Sequence, residues 1–275
     1  MRTLTTAPEE RRWLLLRSFY SSWKRFLLLF EEYERRVAEF SGRYKTERVH
    51  LRLSPDDLAS LIDFRALEDL RDREVSLLRE ISHDLFRSSD ATDRLDHHVS
   101  IIYHELSALK EEHYTLREEF VREEGIEYDQ FYREVNEYYP KRLRHIRNLY
   151  EKAERRLREI LPEMASDRVV VRSVYIFGAD LARGAYPGGA ADLYAAMYPA
   201  GGAVEGFAAA AASFLESGFR EEALEALGKC LAAAEAGPAP EGAKPARHRE
   251  RIAAEARTRF EALRAELEAN GDGGS

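Results

Sequence analysis

Residues 95–120 read LDHHVSIIYHELSALKEEHYTLREEF. The apolar positions Leu95, Val99, Ile102, Leu106, Leu109, Leu116 and Phe120 recur in alternating steps of four and three, and His113 occupies the one remaining position of that series. A mean step of 3.5 residues gives a helix one continuous apolar edge, whereas a strand would need a period of two. The stretch therefore predicts a long helix over 91–124 that packs along its length against other helices.

Working outward, the same spacing recurs on both sides. Pro8, Glu9 and Glu10 suit a first helical turn, where a missing N–H costs little and acids meet the positive end of the dipole. Leu16, Phe19, Trp23, Phe26, Phe30, Tyr33, Val37 and Phe40 then mark one face of a helix over 8–46. Ser54-Pro55-Asp56-Asp57 opens a helix reaching about Phe86, with Leu67, Leu70, Glu74, Leu77, Ile81 and Leu85 on its seam and Glu74 as a polar break. Gly125 ends the central helix. A fourth helix over 127–161 carries Val135, Tyr139, Leu143, Ile146, Tyr150, Ala153 and Leu157, with a kink or break expected at Pro140. Four long helices with short connections predict an antiparallel bundle over 1–165.

Past Leu161-Pro162 the composition changes. Of 16 glycines only Gly42 and Gly125 precede this point, and the boundary is placed near 163–167. Val169-Val170-Val171 is β-branched, yet Val170, Val174, Phe177 and Leu181 share a helical face and no second strand is in sight, so a helix is expected. Shorter helices follow at 190–198, 203–217, 220–235 and 245–269. A linker spans 237–245 and a flexible tail 271–275. The fold class is all-α: a long-helix bundle over 1–165, then a smaller alanine-rich helical domain over 166–270.

Composition limits the function classes. The chain has 275 residues, 33% charged, with 42 Lys+Arg against 50 Asp+Glu, for a net charge of −8. That balance excludes a polycation that coats nucleic acid. The one cysteine, Cys230, excludes an intramolecular disulfide and a multi-cysteine zinc site, and its place among small residues reads as buried and inert. The sequence shows no secretory signal and no span of about 20 apolar residues, so a cytoplasmic location is expected.

Phe207, Ala210, Ala211, Phe214, Gly218, Ala223, Leu227 and Cys230 combine bulky residues, small residues and a turn glycine in one helical hairpin. Residues 204–237 thereby resemble a tetratricopeptide repeat, whose two helices approach closely where small residues fill the contact. The resemblance covers this hairpin alone. It implies a protein or peptide partner, with Phe207, Phe214 and Arg220 as candidate partner-binding residues.

Three clusters could carry chemistry. Five of eight histidines lie at His83, His97, His98, His104 and His113. Asp93 and His97, at i and i+4, could share an ion, with His113 as a further candidate ligand; the Glu-x-x-His pairs of di-iron bundles are absent. The structural reading of these histidines, as flanking groups of a packed seam, ranks first; for His113 it means fixing register or pairing with an acid. The second cluster is a basic face, Arg144, Arg147, Lys152 and Arg155, with Lys141, Arg142 and nearby tyrosines. Such a face can meet phosphates, and more often is solvated and paired. The third is the Leu27–Phe30 run beside Arg17, Lys24 and Arg25, which suits a membrane surface or, ahead of it, a bundle core. An acidic tip, Glu118 to Asp129, reads as solvated.

These observations rank a non-enzymatic interaction or scaffold protein first, with a protein or peptide partner and homo-oligomer formation. A metal-binding, oxidoreductase-type bundle ranks second, and a peripheral membrane or nucleic-acid adaptor third. No cofactor is expected beyond the metal ion of the second reading. The sequence carries no P-loop, Gly-x-Ser-x-Gly, His-Glu-x-x-His or dinucleotide fingerprint.

Overall fold

The computed structural model describes residues 8–47, 55–86, 95–123, 133–182, 189–236 and 246–271. It is all-helical, with no strand among the described residues, and no helix there is long and apolar enough to cross a membrane. Packing divides the chain into two compact units, Leu14–Arg156 and Met1–Trp13 with Leu157–Ser275. The division falls inside a helix, ahead of the turn at 165–166 and of the expected boundary near 163–167.

In the Leu14–Arg156 unit, helix α1 (Pro8–Glu47) buries Leu16, Phe19, Trp23, Phe26, Phe30, Tyr33 and Val37, the face its spacing marks. Trp23 and Phe26 stack on the fully buried Tyr150 at centroid distances of 6.0 and 5.4 Å. Leu28 of the candidate membrane run is exposed, while Phe30 is core.

The expected single helix over 55–86 is instead four pieces: α2 (Pro55–Leu61), α3 (Phe64–Asp69), a π-helical turn over Leu70–Val75, and α4 (Ser76–Phe86). Asp63 makes the first break, because its carboxylate accepts from the Ala66 N–H at 2.9 Å and caps α3. The π turn settles the polar break at Glu74. Its extra residue shifts the seam by one, so Val75 and Leu78 become core in place of Glu74 and Leu77. Glu74, turned off the seam, binds Arg25 of α1 at 2.6 Å. Helix α5 (Leu95–Arg122) buries the whole seam from Leu95 to Phe120, His113 included.

A second π turn, Glu134–Tyr138, precedes α6 (Tyr139–Met164), where the Tyr139 N–H bonds the Glu134 carbonyl. The break expected near Pro140 thus lies just N-terminal to it, and the proline sits buried in the first turn of α6.

The other unit continues from Leu157 through α7 (Arg168–Ala182), α8 (Gly189–Met197), α9 (Gly202–Glu216), α10 (Arg220–Glu235) and α11 (Ala246–Gly271). The Val169–Val171 run is helical, capped by Asp167, whose Oδ1 accepts from the Val169 and Val170 N–H groups. Helix α9 packs on α8 and α10, its neighbours in sequence, and also touches α7 and α11. Small residues permit this. Gly206 leaves no room for a Cβ against Tyr194, and Ala210, Ala211, Ala223, Ala226 and Cys230 are buried. Gly218 turns the chain between α9 and α10 at φ +81°, a conformation that side chains disfavour.

Candidate interaction surfaces

The histidines do not converge. His97 and His113 lie sixteen residues apart on α5, about 24 Å at 1.5 Å per residue, so one ion cannot bind both. Asp93 lies outside the described residues. His97 is exposed and His113 buried, and among the described residues no group of three His, Cys, Asp or Glu side chains is placed to hold a metal.

His113 finds an aromatic partner, not the acid proposed as one of its two roles. Its ring stacks on Phe64 at a centroid distance of 3.3 Å, and Phe64 in turn meets Tyr139 edge-on at 5.8 Å. Burial, with a smaller push from Arg117, holds the imidazole pKa down to about 4, and Glu68 opposes this weakly. It is therefore neutral at pH 7 and packs as an aromatic seam residue. The spacing that flagged His113 as a core position could not reveal Phe64, which enters from another helix.

The residues of the basic face fall into two groups. Arg142 is consumed within the unit: its two terminal nitrogens bind Glu105 and Glu112 of α5, both at 2.8 Å. Arg147 pairs with Glu151 at 3.2 Å. Lys141, Arg144, Lys152 and Arg155 are exposed and pair with no described acid; with Asn148 they follow one another at steps of three and four, opposite the buried face of α6. Lys141, Arg142, Arg144, His145 and Asn148 line a depression of about 700 Å³ that Tyr138 closes at one end.

Tyr138 also borders a groove of opposite sign. Glu111, Glu112, Glu119 and Glu134, with Thr115, line about 460 Å³ between α5 and the second π turn. Burial, then Glu119 and Glu112, push the Glu134 carboxyl pKa up. The sequence shows both charge runs, but not that Tyr138 joins them. Antiparallel α5 and α6 bring together positions that lie far apart in sequence, as Arg142 and Glu112 attest.

The α9–α10 hairpin revises two assignments. Phe207 and Phe214 are core side chains: Phe207 meets Tyr194 at 5.1 Å, and Phe214 meets Tyr175 at 5.3 Å. A partner does not reach them in this packing, because the positions that define the repeat pattern are those that close the hairpin. Arg220 is exposed and binds Glu266 of α11 at 3.2 Å. Among the described residues of this unit, the large apolar groups left open are Ile176, 70% exposed, and Phe219, 50% exposed. Ile176 follows Arg172 by one turn on α7, and Phe219 follows by two residues Ser217, whose hydroxyl accepts from Arg172 at 3.0 Å. The chain matches no protein-family model, no curated protein and no solved structure.

Proposed function

We propose that this chain is a non-enzymatic interaction or scaffold protein of the cytoplasm that holds protein or peptide partners on helical surfaces. The observation that supports this is the serial packing of α7 to α11, in which α9 lies against the helices before and after it across small residues. Stacked hairpins of this kind leave an extended outer face for binding. The tetratricopeptide-like character of 204–237 and a four-helix packing over 1–165 belong to the same reading. Ile176 and Phe219, apolar and open beside Arg172, are the contact groups it selects.

Selection of a random-peptide display library on the full chain tests it. The reading expects enriched peptides whose binding falls at least about tenfold in Ile176→Asp or Phe219→Asp, as loss of a central apolar contact does. No enrichment, or binding indifferent to both substitutions, overturns it.

A further inference from the structure

One side of the Leu14–Arg156 unit carries its charge in two halves. The acidic half follows α5 from Glu111 to the turn residue Glu123 just past its end, about 18 Å at 1.5 Å per residue, and includes the groove with Glu112, Glu119 and Glu134. The basic half follows α6 from Lys141 to Arg155, about 21 Å. Tyr138 stands where the two meet. Each half is charged in excess. Arg117 and Arg122 are the exposed cations among Glu111, Glu112, Glu118, Glu119 and Glu123 at that end of α5, and Glu151, held by Arg147, is the acid beside the basic stripe. Arg142 is the cation that reaches the acidic groove, and Glu105 and Glu112 already occupy it.

A surface whose two halves are opposite in sign and similar in length is complementary to itself under two-fold rotation. An axis passing at Tyr138, perpendicular to α5 and α6, lays each acidic half on the other copy's basic half. We infer that a second copy of this chain docks antiparallel on this face, the acidic groove of each copy receiving the Lys141–Arg155 stripe of the other.

One feature favours a copy over a long polyanion. Glu137, exposed, stands one turn before Lys141 at the start of the basic stripe, so an extended anionic polymer would run onto an acid there. The inference concerns a different unit and a different partner from the hairpin-stack reading, and either can fail alone.

Light scattering coupled to size exclusion, on the full chain, is the test. At low salt (about 50 mM NaCl) the mass is expected to be that of two chains, and the dissociation constant is expected to rise at least about tenfold at 500 mM as screening sets in. Arg144→Glu with Lys152→Glu is expected to give a single chain, as is Glu111→Lys with Glu119→Lys. An equimolar mixture of these two double variants is expected to return the two-chain mass. Thermal melts check each variant's fold, and the neutral Arg144→Gln with Lys152→Gln, and Glu111→Gln with Glu119→Gln, replace any that melts early. A monomer at low salt, a dimer indifferent to both variants, or a mixture that stays monomeric overturns the inference. So does a monomer that binds a 15-residue poly-glutamate or a single-stranded oligonucleotide on the stripe.

Discussion

The Tyr33 hydroxyl donates to the backbone carbonyl of Val135, 102 residues away in sequence and inside the second π turn. In that turn the Tyr139 N–H bonds the Glu134 carbonyl, five residues back. The next donor in the same register would be residue 140, which is proline and has no N–H. Tyr33 therefore supplies from α1 the hydrogen bond that Pro140 cannot.

Tyr33→Phe removes that donor and leaves a buried carbonyl unpaired, an expected loss of about 1–3 kcal/mol. In a Pro140→Ala background the restored N–H can take the Val135 carbonyl, so the same substitution should cost clearly less. Urea unfolding of the four proteins measures this coupling. An equal loss in both backgrounds would show that Tyr33 acts only through packing.

His113 makes stability depend on pH in a defined direction. Its folded pKa, about 4, lies below the ordinary 6.5, so between these values the unfolded chain binds the extra proton. The associated stability is complete above about pH 6.5 and is lost as pH falls toward 4, a change on the order of 3 kcal/mol. His113→Leu, apolar like the rest of the seam, should remove this component. Urea midpoints of both proteins at pH 7, 5.5 and 4.5 decide it: the wild type should lose more than the variant on acidification.

Two glycines should respond oppositely to alanine. A Cβ at Gly206 collides with Cβ and Cγ of the fully buried Tyr194, whose hydroxyl is tied to the Val171 carbonyl. Gly206→Ala is expected to cost about 1–3 kcal/mol or more, as overpacking does. Gly42, exposed within α1, has nothing within 4 Å of the added methyl. Gly42→Ala is expected to stabilise by about 0.5–1 kcal/mol through helix propensity. Thermal melts should move in opposite directions.

Cys230 is buried, and its thiol donates to the Val204 carbonyl at 3.3 Å. Burial pushes its pKa up to about 11, so little thiolate forms near neutrality. A thiol-specific disulfide reagent at pH 8 should leave the native protein unmodified and titrate one thiol in denaturant. Rapid modification of the native protein would contradict the packing of α9 against α10.

The sequence makes α1 and α5 legible almost residue by residue, because a 3.5-residue apolar repeat is a local property of the chain. Leu95 through Phe120 read as a seam and form one, with His113 in its place. The same logic falters over 55–86. Periodicity keeps Glu74 on the seam, while the folded chain inserts a π turn and buries Val75. A window of residues cannot say where a helix will slip by one position, since the slip depends on which side chain the neighbouring helices accept.

The candidate surfaces divide in the same way. The charge runs and the small residues of 204–237 are visible in the sequence, yet the aromatic positions that suggested partner contact, Phe207 and Phe214, form the hairpin's core. Sequence by itself determined the helical class, the seam faces of α1 and α5 and the turn glycine at 218, because each follows from backbone geometry within a few residues. Tertiary structure alone decided that Tyr33 completes the turn before Pro140, that Phe64 covers His113, and that Arg142 is neutralised while Arg144 is not. Those outcomes depend on side chains arriving from helices distant in sequence, and no local pattern encodes which of them arrive.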